Sequence, residues 1–180
     1  MFSLVFTRRY CMGHRLRRSD RKCAIPHGHN EYVRVVMQGH EARRLDGVRN
    51  DVEPFGAAKR RWHDWIDNHV DHALQLDEGD PLLNYFRIYE PDLLSRILVL
   101  PGDPTTELLA VCFAAKANAI LADEGLKLSC VRVEIEETPT NTVVFEGNPA
   151  EALPRAGEDD RWWWRPDTAI NDLIGPADVA

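Results

Sequence analysis

Lys22-Cys23-Ala24-Ile25-Pro26-His27-Gly28-His29-Asn30-Glu31-Tyr32-Val33-Arg34-Val35-Val36-Met37-Gln38 is the stretch on which the reading of this chain turns. Asn30 to Gln38 is rich in β-formers with a rough period of two, so it reads as a strand. His27 and His29 precede it at i and i+2, and in extended backbone their side chains leave the same face. Residues 2 to 10 form a second β-rich run that leads into His14. Three imidazoles with an open fourth position make a zinc site of the catalytic kind. Cys23, four residues before His27, can sit close enough to act on whatever that metal holds. A structural zinc site is the rival: Cys11, His14, Cys23, His27 and His29 offer five potential ligands, and spacing alone does not separate the two.

The other elements follow from pattern. Gly39 to Asn50 is polar and holds Asp46-Gly47, a turn signal that allows a strand on each side. Pro54 can open a helix. Phe55, Ala58, Trp62, Trp65, Ile66 and His69 then make an apolar stripe at spacings of three and four, ending near His69 to Ala73. Asp77 to Pro91 reads as a polar connection with a short helical turn at Leu82 to Phe86, and Arg96 to Leu100 as a short apolar run. Asp103 as cap, Pro104 at the first position and Glu107 in the first turn begin a second helix. Gly125 stops it past Ala122.

Leu128 to Glu137 is the clearest strand. Val131, Val133 and Ile135 alternate with Arg132, Glu134 and Glu136, and Glu137 shares the parity of the apolar set. A buried carboxylate needs a partner, so Glu137 is a ligand-binding candidate. Thr142 to Glu146 closes a hairpin after Pro139-Thr140-Asn141. Asp71-His72 is a second candidate pair, in which the imidazole takes a proton and the carboxylate holds its tautomer. From Asn148 onward the character changes, with Pro149, Pro154, Gly157, Pro166 and Pro176 and the run Trp162-Trp163-Trp164. Three adjacent tryptophans rarely stay in water, so this stretch is expected to dock on the domain or on a neighbouring subunit. The division is a domain over residues 1–148 and a Trp/Pro-rich extension over 149–180.

The chain of 180 residues is 44% apolar and 28% charged, an ordinary globular composition. No apolar run reaches the length of a membrane span. The first residues lack the basic leader and apolar core of a signal peptide, and the four cysteines are scattered. Both point to the cytoplasm. The net charge of −7 is uneven: residues 1 to 61 hold 14 Lys/Arg against 6 Asp/Glu. The excess surrounds the histidines, at Arg8, Arg9, Arg15, Arg17, Arg18, Arg21 and Lys22, where it could attract a phosphorylated small molecule. Neither nucleic acid nor membrane is expected as a partner.

Taken in order, these motifs resemble the 6-pyruvoyltetrahydropterin synthase and 6-carboxytetrahydropterin synthase family. The series runs from Gly13-His14-Arg15-Leu16 through Cys23-Ala24-Ile25-Pro26-His27-Gly28-His29-Asn30, Asp46-Gly47-Val48, Asp51 and Asp71-His72-Ala73-Leu74. It continues through Pro104-Thr105-Thr106-Glu107 and Glu136-Glu137-Thr138 to Val143-Val144-Phe145, covering roughly residues 3 to 147. The resemblance implies an α+β T-fold: a four-stranded antiparallel sheet with two helices between its second and third strands. Subunits would join their sheets into a barrel, as a homohexamer of two trimers.

The resemblance also implies roles. His14, His27 and His29 would hold Zn2+, Cys23 would be the acid or base at the substrate side chain, and Asp71 and His72 a proton relay opposite. Glu137 would anchor the pterin ring, helped by Thr105, Thr106 and Glu107 at a subunit interface. The substrate would be 7,8-dihydroneopterin triphosphate, its phosphates drawn to the run Arg15 to Lys22. Three residues between Cys23 and His27 resemble the carboxy-forming enzymes of queuosine biosynthesis, lyases that release acetaldehyde and triphosphate. The pyruvoyl-forming reaction is the alternative within the family. A non-catalytic protein with structural zinc, or a pterin-binding module, is the alternative outside it. The longer connection from Asp71-His72 to Pro104, the tail, and Arg8-Arg9-Tyr10-Cys11 before the first histidine depart from the family pattern.

Overall fold

β1 (Ser3–His14) and β2 (His27–Gly39) pair antiparallel along their whole length, from Ser3 opposite Gln38 to His14 opposite His27. The computed structural model describes residues 2–19, 22–40, 45–154 and 160–174. Along β1 the even residues Leu4, Phe6, Tyr10, Met12 and His14 are buried; along β2 the odd residues Glu31, Val33, Val35 and Met37 are. Cross-strand neighbours therefore share one covered face.

β5 (Leu128–Thr138) joins the other side of β2 and β6 (Asn141–Glu146) follows it, both antiparallel. Val36 faces Arg132 whereas Met37 faces Cys130, so Val131 is an extra residue in β5. This bulge reverses the parity expected for Val131, which is exposed, while Cys130, Val133 and Ile135 are buried. A second irregularity lies between Glu136 and Thr138.

The expected four-stranded sheet has six strands, in the order β4 (Ile97–Leu100), β3 (Ala73–Asp77), β1, β2, β5, β6. The added pair is β3 and β4, which are parallel to each other, and β3 is parallel to the end of β1. Such strands are covered on both faces and do not alternate, which is why Ile97-Leu98-Val99-Leu100 read only as an apolar run. Between β3 and β4 lies α2 (Pro81–Tyr89), which extends the short helical turn expected at Leu82 to Phe86; Asp80 caps it through the Leu82 N–H and Pro81 occupies its first turn. α1 (Phe55–Trp65) buries Ala58, Trp62 and Trp65 but leaves Phe55 exposed. It continues as a π-helical turn, Ile66–Val70, that delivers Asp71 and His72. Residues 45–50 form no strand, and residues 41–44 of the expected strand–turn–strand lie outside the described residues.

α3 (Thr106–Asp123) is buried nearly all round, with the sheet on one side and the C-terminal extension on the other. Its cap is Thr105 rather than Asp103, because the Asp103 carboxylate accepts from the N–H groups of Arg17 and Arg18 instead. Beyond the short α4 (Pro149–Ala152), Trp162 and Trp163 enter the main core. The Lys116 ammonium, in the middle of α3, donates to the carbonyls of Trp162, Arg165 and Asp167, each at 2.8 Å. The extension also closes the β4 edge. Val99 N–H donates to Ile170 O, Trp162 Nε1–H to Val99 O, and Asn171 Nδ2 to Leu94 O and Ile97 O.

Candidate metal centre

The β1–β2 register places His14 opposite His27 and Met12 opposite His29. The three imidazoles converge on the covered face, with ring centroids 4.5 to 5.1 Å apart. One nitrogen from each lies within 4.8 Å of the others, a grouping able to hold a metal ion. Gly28 makes this possible: a Cβ there would stand 2.6 Å from the Met12 carbonyl oxygen, so any larger residue would force β1 away from β2.

Backbone carbonyls set the tautomers. His14 Nδ1 donates to Pro104 O at 3.0 Å and His27 Nδ1 to Ile25 O at 2.8 Å. A carbonyl can only accept, so each Nδ1 carries a proton and the neutral rings present their lone pairs at Nε2. Those two Nε2 atoms face each other at 3.1 Å. Two acceptors at that distance repel unless a cation lies between them. Ligand nitrogens about 2.0–2.1 Å from a tetrahedral zinc ion stand about 3.3 Å apart, so the donor set fits such an ion. Burial lowers the pKa of His14, which keeps it neutral and ready to ligate.

The two cysteines that the sequence offers as further ligands stand outside the three-imidazole grouping. Cys11 Sγ donates to Asn30 Oδ1 on the opposite face, away from the imidazoles. Among the described residues the grouping is His14, His27 and His29, which leaves the remaining coordination open. Cys23 lies in the turn before β2, and its carbonyl accepts from Leu16 N–H at 2.7 Å, so this turn folds back against the end of β1. None of the four cysteines forms a disulfide.

Glu137 is half-buried and accepts from Thr106 Oγ1 at 2.9 Å, which ties β5 to the start of α3. Thr105 accepts from Leu108 N–H as the helix cap, and Glu107 is exposed. Asp71 and His72 are hydrogen-bonded to each other at 2.8 Å. They are held beside Cys11: its N–H donates to Asp71 Oδ1, and its carbonyl accepts from His72 N–H. The His72 imidazole is 73% exposed, and neither residue of the pair belongs to the three-imidazole grouping among the described residues. Burial works to raise the Asp71 pKa, but the Cys11 N–H and His72 hold it below the usual carboxylate range.

One residue of this face escaped the sequence reading. Glu31 follows His27 and His29 at the same parity and is fully buried. It accepts from the Tyr10 hydroxyl, while its Oε1 has no hydrogen-bond partner among the described residues. Burial, with the repulsion of Glu137 added, pushes its carboxyl up to about 7. Extending the period of two from the histidines would have found it. The basic run also behaves differently from expectation. Arg15 is paired with Asp80, and Arg18 with Asp77 and Asp103, while Arg21 lies outside the described residues.

Fold and centre together define a class: an α+β protein whose mixed sheet carries a three-imidazole group able to hold a metal ion. Residues 3–148 match the family model described as 6-pyruvoyl tetrahydropterin synthase, and the chain belongs to that family. A Halobacterium salinarum protein named as a probable 6-carboxy-5,6,7,8-tetrahydropterin synthase is 33% identical over 134 residues, spanning 74% of this chain and 79% of the other. The 6-carboxy-5,6,7,8-tetrahydropterin synthase of Rickettsia bellii is 27% identical over 127 residues, 71% of this chain and 87% of its own. Among solved structures, an uncharacterized Wolinella succinogenes protein superposes with a TM-score of 0.65 at 19% identity, covering 82% of this chain and 98% of the other. The Caenorhabditis elegans 6-pyruvoyl tetrahydropterin synthase gives 0.54 at 20% identity, covering 82% and 96%. These likenesses show a shared fold, the T-fold, widened here to six strands. No helix among the described residues is long and apolar enough to cross a membrane.

Proposed function

We propose that this chain is a zinc-dependent 6-carboxy-5,6,7,8-tetrahydropterin synthase acting on 7,8-dihydroneopterin triphosphate. The observation that carries the reading is the layout of one face. Three imidazoles stand at one end of β2, and Glu137, on the neighbouring β5, lies close to Glu31 of β2. A substrate whose side chain lies at the imidazoles can reach Glu137 with its ring. The names of the relatives from Halobacterium and Rickettsia favour the carboxy-forming reaction over the pyruvoyl-forming one.

His14, His27 and His29 would hold the zinc, which supplies Lewis-acid polarisation of the substrate's side-chain oxygens when bound. Cys23 moves a proton at the side chain next to those oxygens. Glu137 accepts from the N–H groups of the ring, with the Thr106 hydroxyl fixing its carboxylate and Thr105 and Glu107 alongside. Asp71 holds the His72 imidazole in a proton-accepting tautomer. Because that pair lies outside the three-imidazole grouping of its own chain, we assign it to the site of a neighbouring subunit. A homohexamer of two trimers supplies such neighbours. Ser3 to Tyr10 of β1 have no strand on their other side among the described residues, and β6 ends the sheet, so these edges suit intersubunit pairing. Unbridged thiols suit a reducing cytoplasm.

The test is product analysis. Zinc-loaded protein incubated with 7,8-dihydroneopterin triphosphate should yield 6-carboxytetrahydropterin and acetaldehyde by mass spectrometry. The pyruvoyl product would replace this reading with its sister reaction, and no turnover by zinc-replete protein would end it.

A further inference from the structure

The arginines that follow His14 looked, as sequence, like phosphate ligands; in the structure they hold a loop. Arg15 Nε donates to Asp80 Oδ2 at 2.7 Å and its Nη2 to the other oxygen, a bidentate fork onto a carboxylate that is 3% exposed. The next residue, Leu16, donates its N–H to the Cys23 carbonyl at 2.7 Å. The backbone N–H groups of Arg17 and Arg18 end on Asp103 at 3.2 and 2.7 Å. The segment that meets Cys23 is therefore fastened to the turn between β3 and α2 and to the approach to α3, through acids that the metal ligands do not use. A fork fixes direction as well as charge, which a single-point contact does not.

We infer that Asp80, acting through Arg15, is a positioning residue that sets where the Cys23 thiol stands relative to the three imidazoles. This rests on the role given to Cys23 above. It makes the inserted β3-α2-β4 segment part of the machinery.

Two variants of the full chain test it. Asp80→Asn keeps the oxygen that caps α2 through Leu82 N–H and loses the charge facing Arg15. Arg15→Lys keeps the charge and loses the fork. Displacing a proton-transfer group by about an ångström costs on the order of 100-fold, so kcat should fall about 10- to 100-fold in both, with KM and zinc stoichiometry unchanged. Peptide-resolved alkylation of Cys23 by iodoacetamide should shift at least about threefold, a readout that helix stability alone would not move. Turnover and Cys23 alkylation within twofold of the unsubstituted protein would overturn the inference. If Asp80→Asn does not fold, Arg15→Lys decides it on the same two measurements. If the unsubstituted protein does not turn over the pterin, the reading under Proposed function falls, while the alkylation comparison still decides whether Asp80 places the thiol.

Discussion

Lys116 and His14 are both buried and polar, and their surroundings treat them in opposite ways. The Lys116 ammonium has three carbonyls at 2.8 Å, the Asp167 carboxylate at 3.5 Å, and the rings of Trp65 and Trp162 nearby. Its three N–H donors are matched by three acceptors, the arrangement that makes a buried charge tolerable. At His14 the matching stops halfway: Nδ1 is satisfied, and Nε2 is aimed at another lone pair. A few residues away, Glu31 Oε1 has no hydrogen-bond partner among the described residues, and Glu137 lies near enough to repel its charge. The Lys116 ammonium is electrostatically complete in one chain, and the face of β1 and β2 would be completed by something cationic or rich in N–H groups lying on it. That difference separates a fastening from a site.

The comparison breaks most severely at a ligand. His27→Ala should abolish stoichiometric zinc by elemental analysis, and turnover should drop by at least about 1,000-fold, roughly 4 kcal/mol of transition-state stabilisation. Full zinc retention would show that the imidazoles are not the metal's ligands. Cys23→Ala comes next: zinc and melting temperature hold while kcat falls at least about 100-fold. Simultaneous loss of zinc and fold would return the cluster to a structural role.

Lys116→Met tests the other side. Removing the donor strands three carbonyls, so unfolding free energy should fall by on the order of 3 kcal/mol in urea titrations at pH 7, with zinc content intact. A pH series sharpens this. Burial lowers the Lys116 pKa from 10.5 to about 8, so between those values the unfolded chain binds the extra proton. Stability from this group is therefore lowest below about pH 8 and rises with pH through the window, by on the order of 3 kcal/mol in all. The unsubstituted protein should show that rise and Lys116→Met should not. The smallest effect is at Glu137: Glu137→Gln should weaken 7,8-dihydroneopterin binding about tenfold by fluorescence titration, about 1.4 kcal/mol. Unchanged affinity would remove Glu137 from the ring site.

How much of this was legible in the sequence depended on periodicity. The histidines could be placed because β2 has one covered face and a strict alternation of two. α3 was legible from its first-turn residues and from Gly125 at its end, and the β5–β6 hairpin from the turn at Pro139-Thr140-Asn141. β3 and β4 left no such trace, since strands buried on both faces show no alternation, and their register with β1 comes from tertiary contacts. Val131 was misassigned because one bulged residue inverts parity, and a bulge leaves no local mark in Cys130-Val131-Arg132. Asp103 was read as a helix cap because nothing local reveals the backbone of Arg17 and Arg18 lying against it. Asp71 and His72 were found as a pair, but their place beside Cys11 needed the fold.

Gly28 has a consequence outside chemistry altogether. It carries no charge, donates to no ligand and would never be chosen as part of a metal site. Yet the distance between its backbone and the Met12 carbonyl decides how far His14 stands from His27 and His29. The tolerance of the centre is thus a mechanical clearance between two main chains. A single methyl group, added where no reacting atom ever comes, would act on metal retention like a shim driven into a hinge.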